Sequence, residues 1–305
     1  MTVIPLAQAR PRPRRIALGE FDGVHIGHRE VIRGSDTVLT FDPHPATVVR
    51  IGGGPKLLTS LDLKAELIAE MGVGEVVVIP FDDGFAHQSA EEFIDAVLVE
   101  RLQATEVSVG ANFHFGHHAT GNAALLQADT RFGTRVVPLV EFEGQMVSSS
   151  RIRELISKAG DVQAAARLLG SSFRLRGQVV TGARLGRELG FPTANIVPDP
   201  DLVCPCNGVY ACRAVVGTTA EHPDSPPEHQ AAVSIGVRPT FGDNLQLLVE
   251  AHLLDFQGDL YGRTLTLEFV ARLRGELRFE GAQALIDQMR ADVQTARALL
   301  ASNPT

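Results

Sequence analysis

The chain has 305 residues, 44% of them hydrophobic and 21% charged, which supplies two cores of ordinary size and excludes a disordered or fibrous protein. Its formal net charge of -8 repels phosphate backbones and anionic membranes, so nucleic acid and membrane are excluded as partners, whereas a locally positive pocket for a small anion stays open. No window reaches the roughly 18 apolar residues of a membrane span and Met1 to Arg15 holds no signal-like apolar region, so a cytoplasmic protein is expected.

Short apolar runs recur at 15–18, 37–41, 75–79, 106–109 and 135–139, with helical spacing at 61–71 and 90–102 between them. Continuous β-branched runs suit strands covered on both faces, so residues 14–170 are expected to form a doubly wound, Rossmann-like α/β domain. Ser60 and Ser89 mark helix starts and Gly72 a helix end. Residues 148–169 read as one or two helices broken at Gly160-Asp161, with Asp161 available as an N-cap. From Phe173 onward strands dominate, at 174–180, 208–216, 231–236, 245–253 and 264–273, separated by Gly, Pro, Asp and Asn clusters. That spacing predicts a small antiparallel barrel over residues 171–305. Within it, 217–229 reads as an exposed loop between two strands and 281–300 as a terminal amphipathic helix docked on the barrel. Cys204, Cys206 and Cys212 are an odd set in one short stretch, a poor disulfide framework, and read as reduced thiols before metal ligands.

Residues 19–28, Gly-Glu-Phe-Asp-Gly-Val-His-Ile-Gly-His, follow the first strand and end where a helix begins, the switch-point position for a nucleotide in an open α/β sheet. Gly19, Phe21, Asp22 and Gly27 are candidates for nucleotide contact. His25 and His28 lie one turn apart at a helix N-terminus and can donate to one polyphosphate. A nearby anion makes each imidazole more basic, which suits stabilising charge as an α-phosphate becomes pentacovalent. A lone histidine would more often be structural; two around a glycine favour chemistry. Only 29–36 separates His28 from the next strand, so the helix there is expected to span about two turns and to hold the histidines less firmly. His117 and His118 read as an exposed pair, with metal binding a minor alternative.

Residues 179–195 hold Gly182, Gly186 and Gly190 with Arg184 and Arg187 among them, a flap of exposed N–H groups under positive charge that suits phosphates. Pro192 follows, and Thr193 and Asn195 alternate on an extended segment, so a hydroxyl and an amide oxygen share one face and suit Mg²⁺ held mostly by water and nucleotide. The other reading is a glycine-rich hairpin with a proline turn. Glu250, taken alone, reads as a surface strand residue.

These strings resemble one family, the prokaryotic bifunctional riboflavin kinase/FAD synthetases. In the first half the likeness rests on residues 19–28, Thr40-Phe-Asp-Pro-His-Pro45, Val109-Gly-Ala-Asn-Phe-His-Phe-Gly116 and Val147-Ser-Ser-Ser-Arg-Ile-Arg153. The resemblance implies an HxGH nucleotidyltransferase in which Asn112, Phe113 and Phe115 face a flavin, while Ser149, Ser150 and Arg153 hold the triphosphate. In the second half it covers nearly all of 173–298, through 179–195, Asn207-Gly-Val-Tyr210, Glu250-Ala-His-Leu-Leu-Asp-Phe256 and Leu273-Arg-Gly-Glu-Leu-Arg-Phe279. There it implies a riboflavin kinase-like barrel, with Gly182, Arg187, Gly190 and Pro192 at the nucleotide, Arg278 at the flavin and Glu250 accepting the proton of the ribityl 5′-hydroxyl. The activity implied is phosphorylation of riboflavin by ATP to FMN, then adenylylation of FMN to FAD with release of pyrophosphate. ATP, Mg²⁺ and flavins are then the small-molecule partners, and the oligomeric state stays open. Three rivals stay open: a kinase whose adenylyltransferase half is weakened by the short helix, a flavin-binding protein without catalysis, and an adenylyltransferase for another phosphate ester.

Overall fold

The computed structural model describes residues 1–50, 52–181, 190–217, 228–239 and 245–302, which divide into two compact units, Met1–Ser149 and Ser150–Thr305.

In the first unit, strands β1 (Thr2–Pro5), β2 (Arg14–Leu18), β3 (Thr37–Asp42), β4 (Glu75–Pro80), β5 (Ala104–Gly110) and β8 (Gly133–Val137) form one sheet in the order β1-β4-β3-β2-β5-β8, every pair parallel. Neighbouring residues Val38 and Leu39, and likewise Val76 and Val77, are fully buried. Because successive side chains point to opposite faces, only a sheet covered on both sides allows this. The covering helices are α1 (Ile26–Ile32), α2 (Pro45–Val49), α3 (Leu61–Ala69), α4 (Asp83–Ala86), α5 (Ala90–Glu92), which continues as a π-helical stretch Phe93–Arg101, and α6 (Ala123–Ala128). Ser60 caps α3, and Ser89 caps α5 in a capping box with Glu92. Two hairpins, β6 (His114–Phe115) with β7 (Gly121–Asn122) and β9 (Glu141–Phe142) with β10 (Gln145–Met146), complete the unit. The doubly wound expectation holds. Strand β1 carries no sequence signal, being a four-residue edge strand whose first two residues are exposed.

The chain runs β2, β3, β4 to one side and then returns past β2 to β5 and β8, so the switch point lies between β2 and β5, where the loop after β2 emerges. At the opposite end of the sheet Arg14, 1% exposed, donates from Nε to Glu75 at 2.8 Å and from Nη1 to the carbonyls of Arg10 and Leu102. Glu75→Ala leaves that buried cation with carbonyls alone, and a loss of about 3 kcal/mol is expected, read as a lower denaturation midpoint.

The second unit begins with α7 (Ser149–Glu154), whose first residue belongs to the first unit, a π-helical stretch Leu155–Ala159 and α8 (Val162–Leu169). Gly160 breaks the pair in the left-handed region, and the Asp161 carboxylate caps α8 by accepting the Ala164 N–H at 2.8 Å. The sequence reading divided the chain after residue 170, whereas the compact units divide before α8. The cause is burial: Val162, Ala165, Leu168 and Leu169 turn inward, and α8 packs on strands β11 (Phe173–Val180) and β16 (Thr264–Arg274).

Those strands, with β12 (Ala194–Pro198), β13 (Gly208–Val216), β14 (Glu228–Pro239) and β15 (Leu245–Leu253), close an antiparallel barrel in the order β11-β12-β15-β14-β13-β16. The expected loop at 217–229 is shorter at its end, since Glu228 and His229 already belong to β14; residues 218–227 lie outside the described residues. Along β15 the alternation is plain: Val249 and Ala251 fill the interior, while Glu250 and His252 face outward and are half-buried. The outer face is covered by α9 (Ala282–Ser302), whose Ala296 and Leu300 pack on Ala211.

Candidate active sites

The loop Gly19–His25 is shaped by groups that hold it from outside. Phe21 and Val24 occupy the left-handed region at φ 52° and 42°, a conformation that costs side-chain-bearing residues roughly 1–2 kcal/mol each. Asp22, 2% exposed, accepts the Leu58 and Thr59 N–H groups at 2.8 and 3.3 Å, and its carbonyl accepts the Ser149 hydroxyl at 3.0 Å. The Glu20 carbonyl takes the Thr40 hydroxyl at 3.1 Å and the Lys64 ammonium at 2.8 Å. Lys64 is a buried cation that the sequence reading missed. Burial lowers its pKa, and the carboxylates of Asp22, Asp42 and Glu20 oppose that. A Cβ at Gly19 would lie 3.0 Å from the Phe21 ring, tighter than ordinary contact, so a larger residue there would press on that ring. That ring in turn meets His28 edge-on at 5.4 Å.

Helix α1 spans seven residues, the two turns expected, and it closes the parallel crossover from β2 to β3. His25 is its N-cap, accepting the His28 N–H at Nδ1 over 3.2 Å. Its Nε2 therefore carries the proton in the neutral ring and is a ready donor. The two imidazoles stack at 3.5 Å. Burial pushes His25 down to about 4 and holds His28 well below the ordinary histidine range, with repulsion from His25 and Lys64 adding to the second shift. Both rings are neutral without an anion. The buried Nδ1 of His28 has no hydrogen-bond partner among the described residues, and the Nε2 proton of His25 is the donor this pair offers to a phosphate oxygen.

A cavity of about 570 Å³ adjoins the loop at Glu20. Phe41, Phe81, Phe85, Phe93, Phe113 and Phe115 line it, and His87, His117 and His118 stand at its wall. Phe113 and Phe115 stack at 5.8 Å. Asn112 is exposed and is not among the lining residues. His118 is exposed as expected, but His117 is half-buried. Ser149 reaches the loop from within the first unit, whereas Ser150, exposed, and Arg153, whose Nη1 donates to the Ser150 hydroxyl at 3.3 Å, belong to the second.

On the barrel, register sets Asn195 opposite Glu250 and Glu250 opposite Ser234, so the three side chains form one outward row across three strands. Asn195 is 8% exposed. Thr193, two residues earlier, shares its face. A cavity of about 600 Å³ between this face and α9 is lined by Thr193, Ser234, Glu250 and Arg278, with Leu285 and Met289 from the helix. A second, of about 550 Å³, has Pro192, Thr193, Asp259 and Tyr261 in its wall. Thr193 lines both. His252 donates from Nδ1 to the Pro192 carbonyl at 2.8 Å and meets Phe191 edge-on, which fixes the segment carrying Thr193. Arg274, also at the first cavity, is gripped by Asp292 of α9 at 2.7 Å; the sequence reading named neither. Gly190 is exposed at φ 86°, and Gly182 and Arg187 lie outside the described residues. Among the described residues no group of three His, Cys, Asp or Glu side chains could hold a metal. The hydroxyl, amide oxygen and carboxylate of Thr193, Asn195 and Glu250 are hard oxygen donors too few for a closed cage, which fits Mg²⁺ completed by nucleotide and water.

Two family models match the chain, one described as FAD synthetase over residues 7–151 and one described as riboflavin kinase over residues 169–300. The bifunctional riboflavin kinase/FMN adenylyltransferase of Listeria monocytogenes is 37% identical over 300 residues, covering 94% of this chain and 92% of that protein. The protein of the same name from Escherichia coli is 36% identical, covering 96% of this chain and 94% of its own. A crystal structure from Streptococcus pneumoniae, named a macrolide-efflux protein, aligns at a TM-score of 0.85 with 28% identity over 97% of this chain and 98% of that one. Among the described residues no helix here is long and apolar enough to cross a membrane. With both halves matched and the relatives aligned almost end to end, the chain belongs to the family of bifunctional riboflavin kinase/FMN adenylyltransferases.

Proposed function

We infer that the chain makes FMN from riboflavin and ATP in the barrel, and FAD and pyrophosphate from FMN and ATP in the α/β unit, as a cytoplasmic enzyme. The observation that carries the first step is Thr193, which lines two cavities, one of them also lined by Glu250. Riboflavin fits the cavity under α9, with Arg278 at its rim, and ATP the cavity beside Pro192 and Tyr261. The phosphoryl group then crosses at Thr193. Glu250 accepts the proton of the ribityl hydroxyl as its oxygen attacks the γ-phosphorus and ADP leaves. Mg²⁺ held near Thr193 and Asn195 would supply neutralisation of phosphate charge.

For the second step the FMN phosphate attacks the α-phosphorus of ATP in line, and pyrophosphate leaves. His25 and His28 donate to the developing charge, with Ser149 on the triphosphate. Gly19, Phe21, Asp22 and Gly27 act here by setting the loop; Phe113 and Phe115, with Asn112 beside them, take the flavin. The well-formed N-cap and stacked imidazoles on α1 speak against a half weakened by its short helix. Gly116→Ala tests the flavin cavity: at φ 73° its Cβ would sit 2.6 Å from the Ala90 nitrogen, displacing the loop after Phe115. FAD formation is expected to need about tenfold more FMN, equivalent to the roughly 1.4 kcal/mol of one strained left-handed residue, with FMN formation unchanged.

Incubation of the pure chain with riboflavin, ATP and Mg²⁺, followed by chromatography of the flavins, tests the whole reading. FMN should appear first and FAD with pyrophosphate after it. No FMN would overturn the kinase, and FMN that never becomes FAD would overturn the adenylyltransferase.

A further inference from the structure

His87 and His117 come from separate segments of the first unit, yet their rings stack at 4.9 Å with 24° between planes, and both line the aromatic cavity. Each is tied by Nδ1 to a carbonyl of α4, His87 to Asp83 at 2.7 Å and His117 to Ala86 at 3.1 Å. A carbonyl only accepts, so each Nδ1 carries the proton of the neutral ring and each Nε2 keeps its lone pair. The cavity wall thus offers two acceptor nitrogens beside six phenylalanines.

The backbone that delivers His117 is built at a cost. His118 and Ala119 both sit in the left-handed region, at φ 54° and 56°, and consecutive side-chain-bearing residues hold that shape only where the surroundings impose it. The imposing contacts are the His117 N–H on the Gln88 carbonyl at 2.8 Å and Gly116 pressed against Ala90. The ring of His118 leans on that of His117 at 3.8 Å.

Another polar residue of the cavity is Glu20, held by His44 Nε2 at 2.8 Å and part of the loop that leads to His25 and His28. A flavin phosphate bound for those histidines must run toward Glu20. The isoalloxazine then lies among the phenylalanines, and its one polar edge, the pyrimidine with N3–H between two carbonyls, falls to the imidazole wall.

We propose that His87 and His117 are specificity-determining residues of the adenylyltransferase cavity, taking the hydrogen bond of the isoalloxazine N3–H on their Nε2 atoms. This rests on the adenylyl-transfer reading above and adds to it how the ring edge is recognised. His87 is exposed and His117 half-buried, so selectivity arises when the bound flavin covers these acceptors and an analogue lacking the donor leaves one unpaired.

The test uses the full chain with FMN and with FMN methylated at N3, following FAD formation and, in parallel, flavin binding by fluorescence quenching. The unaltered protein should favour FMN over the methylated analogue by about tenfold, the value of one hydrogen bond at the upper end of its usual range. In the variant carrying His87→Phe and His117→Phe, which keeps two stacked rings and removes the acceptors, the KM for FMN should rise about tenfold and the preference should vanish. The kcat, the KM for ATP and FMN formation in the barrel should stay within about twofold. Equal use of both flavins by the unaltered protein overturns the proposal whatever the variant does, and so does a variant that keeps the preference. Absence of FAD formation from the unaltered protein overturns the adenylyl-transfer reading instead, and quenching still reports whether the two flavins are told apart.

Discussion

Glu250→Gln is expected to slow FMN formation by about 10²- to 10⁴-fold, the usual contribution of a positioned general base, while riboflavin binding stays close to that of the unaltered chain. The substitution preserves shape, so the row from Asn195 through residue 250 to Ser234 should persist and Thr193 should keep its place between the cavities. What is lost is the capacity to take a proton from the attacking hydroxyl. Adenylylation of supplied FMN in the other unit gives an internal control and should be unaffected. A variant that forms FMN at the original rate would remove Glu250 from the reaction.

His28→Ala should cut FAD formation by about 10²- to 10³-fold, the cost of deleting one donor aimed at developing charge, and leave FMN formation alone. Its stacking partner, His25, loses a repulsive neighbour as well as a ring. The same pair makes the first unit acid-sensitive. The folded pKa of His25 is depressed to about 4 by burial, so the unfolded chain binds protons below the ordinary histidine value of about 6.5 while the folded chain does not. Stability from this group is fully present above that value and is lost as pH falls toward 4. His28, held well below the ordinary histidine range chiefly by burial, adds to the loss. Denaturation midpoints of the first unit measured from pH 7 to pH 4 should decline, and less steeply in His28→Ala.

Local chemistry made much of this legible in the sequence. The β-branched runs became parallel strands, Ser60, Ser89 and Asp161 cap the helices they precede, and the alternation of Thr193 with Asn195 put both on the face that carries Glu250. Long-range features were not legible. Lys64 sits in an apolar helical run, Leu63-Lys64-Ala65, and nothing nearby announces the carboxylates of Asp22 and Asp42 that make its burial tolerable. The pairing of His87 with His117 depends on both reaching one short helix from different segments. Asp22 stands in a motif suited to phosphate, yet its Oδ1 accepts the backbone N–H groups of Leu58 and Thr59, which only the folded loop reveals. The wall that α9 gives the barrel cavity is likewise a matter of docking, since the amphipathic pattern predicts a buried stripe without saying what it encloses.

Thr193 belongs to the walls of two cavities at once, and this ties together quantities that mutation ordinarily separates. Any change in the bulk or polarity of that side chain alters the shape of both chambers, so the apparent affinities for vitamin and nucleotide should drift in concert across a set of substitutions at this position. A selection that asks only for a new phosphoryl acceptor would therefore carry a hidden penalty on the donor side. Engineering of acceptor preference has more freedom at Leu285 and Met289, which the helix contributes to one chamber and not the other.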